Sequence, residues 1–345
     1  MFLEPEPWQP VETLAWAVYT LPIAGTTAAV LFLRERVIAW LSWTLLFSAL
    51  FVVVQKHVFI DVLQTVPFAA LYELPGYWTF TEDPETFLTY VKRPFGMFPE
   101  SSFMAGSLSL MAMALVVLLY HYGRQAGAKE LAALGLVVWA VAVSGSGSAV
   151  VVLGLVVVAA LITTARQHPR AALFLLPPAL LTAGIVSVST LAERQRGFNY
   201  SWADRYGSIA ASTRLMLQDP VVFWTGLGRG GANQMFLDEK MPLGLYQHFN
   251  PLPDIYSVVG RVLLEQGMLV GLAFVASLCV LVLRAGGGCR TWLGLCSLVV
   301  WVVASGMTIS YDSAYWIWGL PGLFLGLELS NAQPATPQPV PAGNP

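Results

Sequence analysis

The chain has 345 residues, of which 56% are hydrophobic and only 11% charged, against roughly 25% charged in an ordinary soluble domain. With a mean hydropathy of +0.65 it lacks the polar residues to cover a water-exposed surface, so a soluble globular domain is excluded and the expected fold class is all-α, a polytopic membrane protein. The formal charge of −2 decides nothing about nucleic acid, but no basic run with interleaved aromatics is present to bind one.

The N-terminal MFLEPEPWQPVE is acidic and proline-rich and reads as no cleaved signal. About nine stretches then meet the ~20-residue length of a membrane crossing. They lie near 13–33, 37–54, 102–122, 130–144, 148–164, 171–190, 266–283, 291–309 and 314–329. The fourth and fifth are short and only SGSGS separates them, which predicts a tight hairpin. Cys279, Cys289 and Cys296 fall late in the chain, an odd number on or near apolar segments, and are expected to be packing or lipid-facing thiols. Residues 1–330 read as one integral-membrane domain, and the uncharged proline-rich 331–345 as a disordered tail.

Basic residues set the orientation. Arg34 and Arg36, Arg124 and Lys129, Arg166 and Arg170, and Arg284 and Arg290 occupy alternate short connections, which the positive-inside rule makes cytoplasmic. Two long loops, about 55–101 and 191–265, then lie outside. They are rich in arginine rather than lysine. A guanidinium offers a planar fork that grips phosphate through two hydrogen bonds and stays charged at any accessible pH.

Four stretches carry candidate chemistry. In KRPFGMFPESSF, Pro94 and Pro99 interrupt helix and Gly96 permits a sharp turn. Glu100 sits where the dipole of the next helix favours an anion, either as a capping acid or as a reactive group, and Arg93 is either a ligand or an interface residue. SGSGS, at 144–148, offers close helix approach or hydroxyl ligands. Residues 202–218 predict a helix on which Arg205 and Arg214, nine apart, point to opposite faces. DPVVFWTGLGRGG follows, a plain loop or an anion-binding nest. In HFNPLPDIYSVVGRVLLEQGMLVG, Arg261 and Glu265 are four apart and can pair on a helix. The uninterrupted apolar run begins only at Met268, which puts this pair near the outer helix end or in a polar cavity. There is no HExxH, CxxC, Walker loop, GxSxG or DxD pattern, and no cofactor or metal is assigned.

In this order the stretches resemble the O-antigen ligase and Wzy-type polysaccharide polymerase family, from about residue 85 to 275. RPFGMFPESSFMAG is similar to an Arg-x-x-Gly-x-Phe-x-Glu-Pro segment, with Pro99 here before Glu100. VSGSGSAVVVLG is similar to a Ser-x-Ser-Arg turn, with Gly147 in place of the arginine. RYGSIAASTRLMLQDPVVFWTGLGRGG is similar to an Arg-led helix with Asp/Asn-Pro-x-x-Gly-x-Gly, and HFNPLPDIYSVVGRVLLEQG to a His-Asn motif, an aromatic and Glu-x-Gly, more widely spaced here.

The resemblance implies a metal-independent glycosyltransferase of the multi-span (GT-C-like) type in the bacterial inner membrane, active on the periplasmic side. Its donor would be a polyprenyl diphosphate-linked oligosaccharide. Membrane lipid and polysaccharide export or chain-length proteins would be its partners. A polymerase would pass the glycan to another repeat unit, a ligase to a lipid core. Arg205 and Arg214, then Arg93 and Arg261, are the candidates for the diphosphate, because fixed cations in a low-dielectric site stabilise the charge gathering on a leaving group. His248 is the candidate base for the acceptor hydroxyl, with Glu100 its rival. Glu265, Tyr256 and Asp254 are supporting residues. Trp202 and Trp224 are either sugar platforms or interface anchors. A transporter or flippase of lipid-linked sugars, or a non-catalytic assembly partner, stands as the alternative; a flippase is expected to carry mid-membrane charge in both halves and internal repeats.

Overall fold

The computed structural model describes residues 10–67, 88, 92–98, 101–167, 210, 212–228, 231, 234–235, 258–285, 289–307 and 315–332. Among them the fold is all α, with no strand. The principal elements are α1 (Pro10–Leu33), α2 (Arg36–Val54) running into a π-helical turn (Gln55–Ile60), α3 (Ser101–His121), α4 (Ala128–Val143), α5 (Gly147–Gln167), the short α6 (Pro220–Thr225), α7 (Val258–Ala285), α8 (Cys289–Met307), a 3₁₀ turn (Tyr315–Trp318) and α9 (Gly319–Ala332).

These helices overlap the apolar stretches of the sequence, with most ends shifted by a few residues, and three of the expected loop and tail limits move with them. The first long loop was expected from residue 55, but the helix continues as the π turn to Ile60. The second was expected to run to 265, but α7 begins at Val258. The tail was expected from 331, whereas α9 reaches Ala332. The expected span 171–190 and residues 333–345 lie outside the described residues.

Three helices are long and apolar enough to cross a membrane by length and composition: Arg36–Ile60, Ser101–His121 and Gly260–Val282. Leu21–Leu33, Ala149–Leu161 and Trp292–Ser305 are apolar but shorter. Nine crossings are thus not established. At 1.5 Å per residue the 16 residues of α4 extend about 24 Å, less than a ~30 Å hydrocarbon core.

The core is organised around α3. A helix apolar on every side belongs inside a bundle, and α3 is buried from Ser101 to Leu110 without a break. It packs against α2, α4, α5, α8 and α9. The buried Ser109 is satisfied within the helix, its Oγ donating to Ala105 O at 2.8 Å. By contrast α2 exposes Trp40, Trp43, Phe47 and Leu50, and α7 exposes Leu269, Val270 and Leu272. Contiguous apolar surface of this kind marks a membrane or partner-covered face.

Small residues bring α1 and α9 together. Gly322 and Gly326, spaced as Gly-x-x-x-Gly, leave no room for a Cβ: at Gly322 it would lie 2.5 Å from Ile23 O, at Gly326 2.7 Å from Val30 Cβ. Thr27 Oγ1 then reaches Gly322 O at 3.0 Å. Close backbone approach of this type replaces the hydrophobic drive that helices lack in lipid.

The two described basic connections share one end of the bundle. Arg124 Nη1 lies 4.0 Å from Glu35 Oε2, Lys129 Nζ lies over the Trp43 ring at 5.6 Å, and Ser42 Oγ lies 3.4 Å from Glu130 Oε1. The 92–98 loop and the turn between α4 and α5 sit at the opposite ends of α2 and α4.

Candidate functional site

Two pairs of the quoted stretches meet in the structure. The first pair is the 92–98 loop and the serine–glycine turn. Val143 ends α4 and Gly147 begins α5, so the predicted hairpin is present with residues 144–146 as its turn. Gly145 adopts φ +63°, a left-handed conformation that glycine enters at no steric cost. Ser144 Oγ donates to Val141 O at 2.7 Å and accepts from Ser146 N at 3.2 Å, so the buried Ser144 hydroxyl is occupied with the turn itself. Arg93 lies across this turn: a Cβ added to Gly145 would sit 3.3 Å from Arg93 Nε and 3.7 Å from its Cδ. The arginine is exposed. A guanidinium is therefore present at the turn.

What holds Arg93 there is a residue that the sequence did not single out. Gln55, fully buried in the π turn, accepts hydrogen bonds through Oε1 from Phe95 N at 2.9 Å and Gly96 N at 2.8 Å. Gly96, at φ +62°, packs so tightly that a Cβ would lie 2.8 Å from Val52 Cγ2. Phe98 N donates to Phe95 O at 3.1 Å and closes the loop. Phe95 packs on Ile60, with Val66 and Leu88 alongside. A polar residue directly after the apolar run of α2 is the only trace of this in the sequence, and nothing local names its partner 40 residues on.

The second pair is the DPVVFWTGLG stretch and the Glu-Gln-Gly of α7. Asp219 caps α6, its Oδ1 accepting from Val221 N at 2.8 Å and Val222 N at 3.4 Å, with Pro220 at the first helical position. This is the arrangement that Asp-Pro encodes. Helix α7 breaks at Gly267, where φ is 75° and ψ 171°. A break releases carbonyls that helix would otherwise satisfy, and here the glycine-rich segment takes them. Leu227 N donates to Leu264 O and Gly228 N to Glu265 O, both at 2.9 Å. Gly226 and Gly267 face each other so closely that a Cβ on either would lie within 2.5 Å of the opposing backbone. Leu215, Met216, Val222, Met235 and Leu264 form the small core beneath.

Arg261 and Glu265 pair as their spacing predicts, Nε to Oε1 at 2.9 Å, with only 4% and 1% of the side chains exposed. Arg261 thus faces inward, immediately before the break. Arg214 is exposed on the helix at 212–218, the described part of the helix expected over 202–218. Of the remaining candidates, Glu100, Arg205, His248, Asp254 and Tyr256 lie outside the described residues, as does Trp202. Trp224 is half-exposed and stacks edge-on against Phe223, with centroids 4.8 Å apart. Cys279 and Cys296 are unbridged. Among the described residues no group of three or more His, Cys, Asp or Glu side chains gathers as a metal site.

No protein-family model matches the chain, and no curated protein or solved structure matches it at a significant level.

Proposed function

We propose that the chain is a polysaccharide polymerase of the bacterial inner membrane. In this reading its nine crossings place the 92–98, 144–146 and 219–267 segments at the periplasmic rim. There a polyprenyl diphosphate-linked glycan is transferred to the hydroxyl of an acceptor sugar. The acceptor oxygen bonds to the anomeric carbon of the donor and the bond from that carbon to the diphosphate oxygen breaks. The electron pair departs with the polyprenyl diphosphate, and the hydroxyl proton passes to a base, His248 or its rival Glu100. Arg93, Arg205 and Arg214 neutralise the leaving group; Arg261, the fourth candidate, is paired with Glu265 and adds no net charge to the set.

The observation that supports this reading most directly is the placement of Arg93. A charged fork lies over the serine–glycine turn, on a loop whose Phe95 and Gly96 amides are held by a buried glutamine, at the end of the helices away from the basic connections. A cation fixed before the substrate arrives needs no reorganisation when charge develops, which is what makes such groups effective in catalysis. Nothing in the described part of the molecule requires an arginine at this place for packing, because its head is exposed.

The test is to incubate the purified protein in detergent with a lipid-linked repeat unit and separate the products on a gel. A ladder that disappears in Arg93→Ala, Arg205→Ala and His248→Ala is the expected result. A single shift onto a lipid core assigns the ligase reaction instead. Absence of any product from well-folded wild-type protein overturns the transferase reading in favour of transport or scaffolding.

A further inference from the structure

The π turn that ends α2 has a second, exposed face. Lys56 and Asp61 are five residues apart, which on an α-helix puts them about 140° around the axis from each other. In a π turn the backbone bond spans five residues and brings them onto one side. Asp61 N donates to Lys56 O at 3.0 Å and Leu63 N to Val58 O at 2.9 Å, both with the five-residue span. Lys56 Nζ consequently reaches Asp61 Oδ1 at 2.7 Å, and His57 Nδ1 lies 3.5 Å from Oδ2 of the same carboxylate. The imidazole also meets the Trp139 ring of α4, with centroids 5.6 Å apart. His57 is 44% exposed and Trp139 50%.

Left-handed backbone lies close to this turn. π-Helical turns are rare and concentrate at functional sites. Gln64, three residues beyond Asp61, and Lys92, next to Arg93, both hold positive φ, 48° and 46°. Only three non-glycine residues do so among those described. Such conformations are unfavourable and persist where the surroundings over-determine them. Gln55 supplies the constraint, since its bonds to Phe95 and Gly96 fasten the inner face of the same turn. The anchored segment therefore carries Arg93 on one side and the Lys56–His57–Asp61 group on the other. Trp139 and the 144–146 turn under Arg93 are separated along α4 by about 7 Å, at 1.5 Å per residue.

We infer that Lys56, His57, Asp61 and Trp139 form a subsite for one pyranose ring of the lipid-linked glycan. The inference rests on the transferase reading for the identity of the ligand class. The chemistry fits that class. A pyranose presents an apolar C–H face to an aromatic ring, whose face is electron-rich, and hydroxyls that both donate and accept. Asp61 accepts, Lys56 donates, and His57 does either with its free nitrogen. The subsite opens on the exposed apolar side of α2 and α4, where Trp43, Phe47, Val138 and Trp139 are all exposed. A ligand tethered to a lipid enters from that side.

The test uses glycans released by mild acid from the polyprenyl diphosphate lipids of cells producing the protein. Saturation transfer from the protein to the ring protons is followed by NMR in detergent. Transfer to wild-type protein is expected, weakened about 3- to 10-fold in Trp139→Ala and Asp61→Asn and retained in Trp139→Phe, the range that one stacking or hydrogen-bonding contact gives. On the gel assay, the same variants should raise KM about as much and change kcat by less than about 2-fold, since a contact made equally in ground and transition states alters only KM. Varying donor and acceptor lipids separately shows which of them supplies the ring. All four side chains are at the surface or partly so, and size-exclusion profiles identical to wild type show that the variants fold. Unchanged saturation transfer and KM in Trp139→Ala and His57→Ala overturn the subsite and make Trp139 a bilayer anchor, even when the ladder is intact. Saturation transfer that depends on Trp139 in a protein forming no ladder upholds the subsite and removes only the transferase reading.

Discussion

The 92–98 loop and the Gly226–Gly267 joint both fasten a distant segment to the end of a helix, by opposite means. The loop is held by a side chain: one glutamine oxygen takes two consecutive amides. The joint is held by backbone alone, two amides on two carbonyls freed by a helix break. The consequence is visible in the cations. Side-chain anchoring leaves the loop's outer surface available, and Arg93 is exposed. Backbone anchoring demands close approach, and Arg261 beneath it is 4% exposed and neutralised by Glu265. One region is built to present a charge and the other to contain one.

The largest effect should therefore come from opening the contained charge. Arg261→Met removes the cation paired with buried Glu265, and breaking a buried pair from one side costs about 3–5 kcal/mol. The double variant Arg261→Met, Glu265→Leu removes both charges and should recover most of that loss. Denaturant unfolding of the purified protein in detergent measures both. A double variant no more stable than the single one would show that the pair does more than neutralise itself.

Next is Gly267→Ala. A Cβ there meets Trp224 O and Gly226 N, and the φ of 75° is itself unfavourable for alanine by about 1–2 kcal/mol. Separation of the two strands of backbone also loses two hydrogen bonds worth about 1 kcal/mol each. A total near 3 kcal/mol is expected by thermal unfolding. The same substitution at Gly154, which has nothing within 4 Å of an added Cβ, serves as the control.

These two sites differ in how far the sequence disclosed them. The pairing of Arg261 with Glu265 was readable because it is local, four residues on one helix. The position of the break was half readable, since the unbroken apolar run starts at Met268 and a glycine precedes it. The helices were readable for the same reason: an apolar run of crossing length is a property of consecutive residues. Gln55 was not readable, because its role is defined by Phe95 and Gly96. The Lys56–Asp61 contact was hidden by the α-helical spacing rule, which a π turn overrides. The Gly322–Gly326 spacing carries a local signal for close helix packing, and only the fold says that α1 is its partner. Sequence thus specified what each segment is, and the tertiary contacts specified which segment it serves.

Gln55→Leu tests the side-chain anchor and is expected to cost less than the two changes above. It keeps the volume and removes the acceptor from two buried amides, each worth about 1–3 kcal/mol if left unpaired. Against that, Gln55 Nε2 is itself buried without a hydrogen-bond partner among the described residues, and its removal returns part of the loss. A net of about 2 kcal/mol follows. Asp219→Ala ranks below it at about 1 kcal/mol, the usual value of a helix N-cap, and unfolding should begin in α6 without disturbing α2 or α3. Hydrogen exchange resolves the two cases by location.

Arg93→Ala should perturb stability least, within about 0.5 kcal/mol, as exposed substitutions do. Its guanidinium overlies a turn in which Ser144 bonds to Val141 and Ser146, and the side chain is exposed, so the fold loses little contact. On the transferase proposal, glycosyl transfer should nonetheless fall about 10²–10³-fold, the cost of removing one charge-stabilising group from an active site. Arg93→Lys separates charge from geometry: partial recovery points to the charge, and none to the fork that grips two oxygens at once. If Arg93→Ala instead unfolds as readily as Gln55→Leu, the arginine is a brace for the turn, and the contrast between a region that presents its cation and one that contains it is lost.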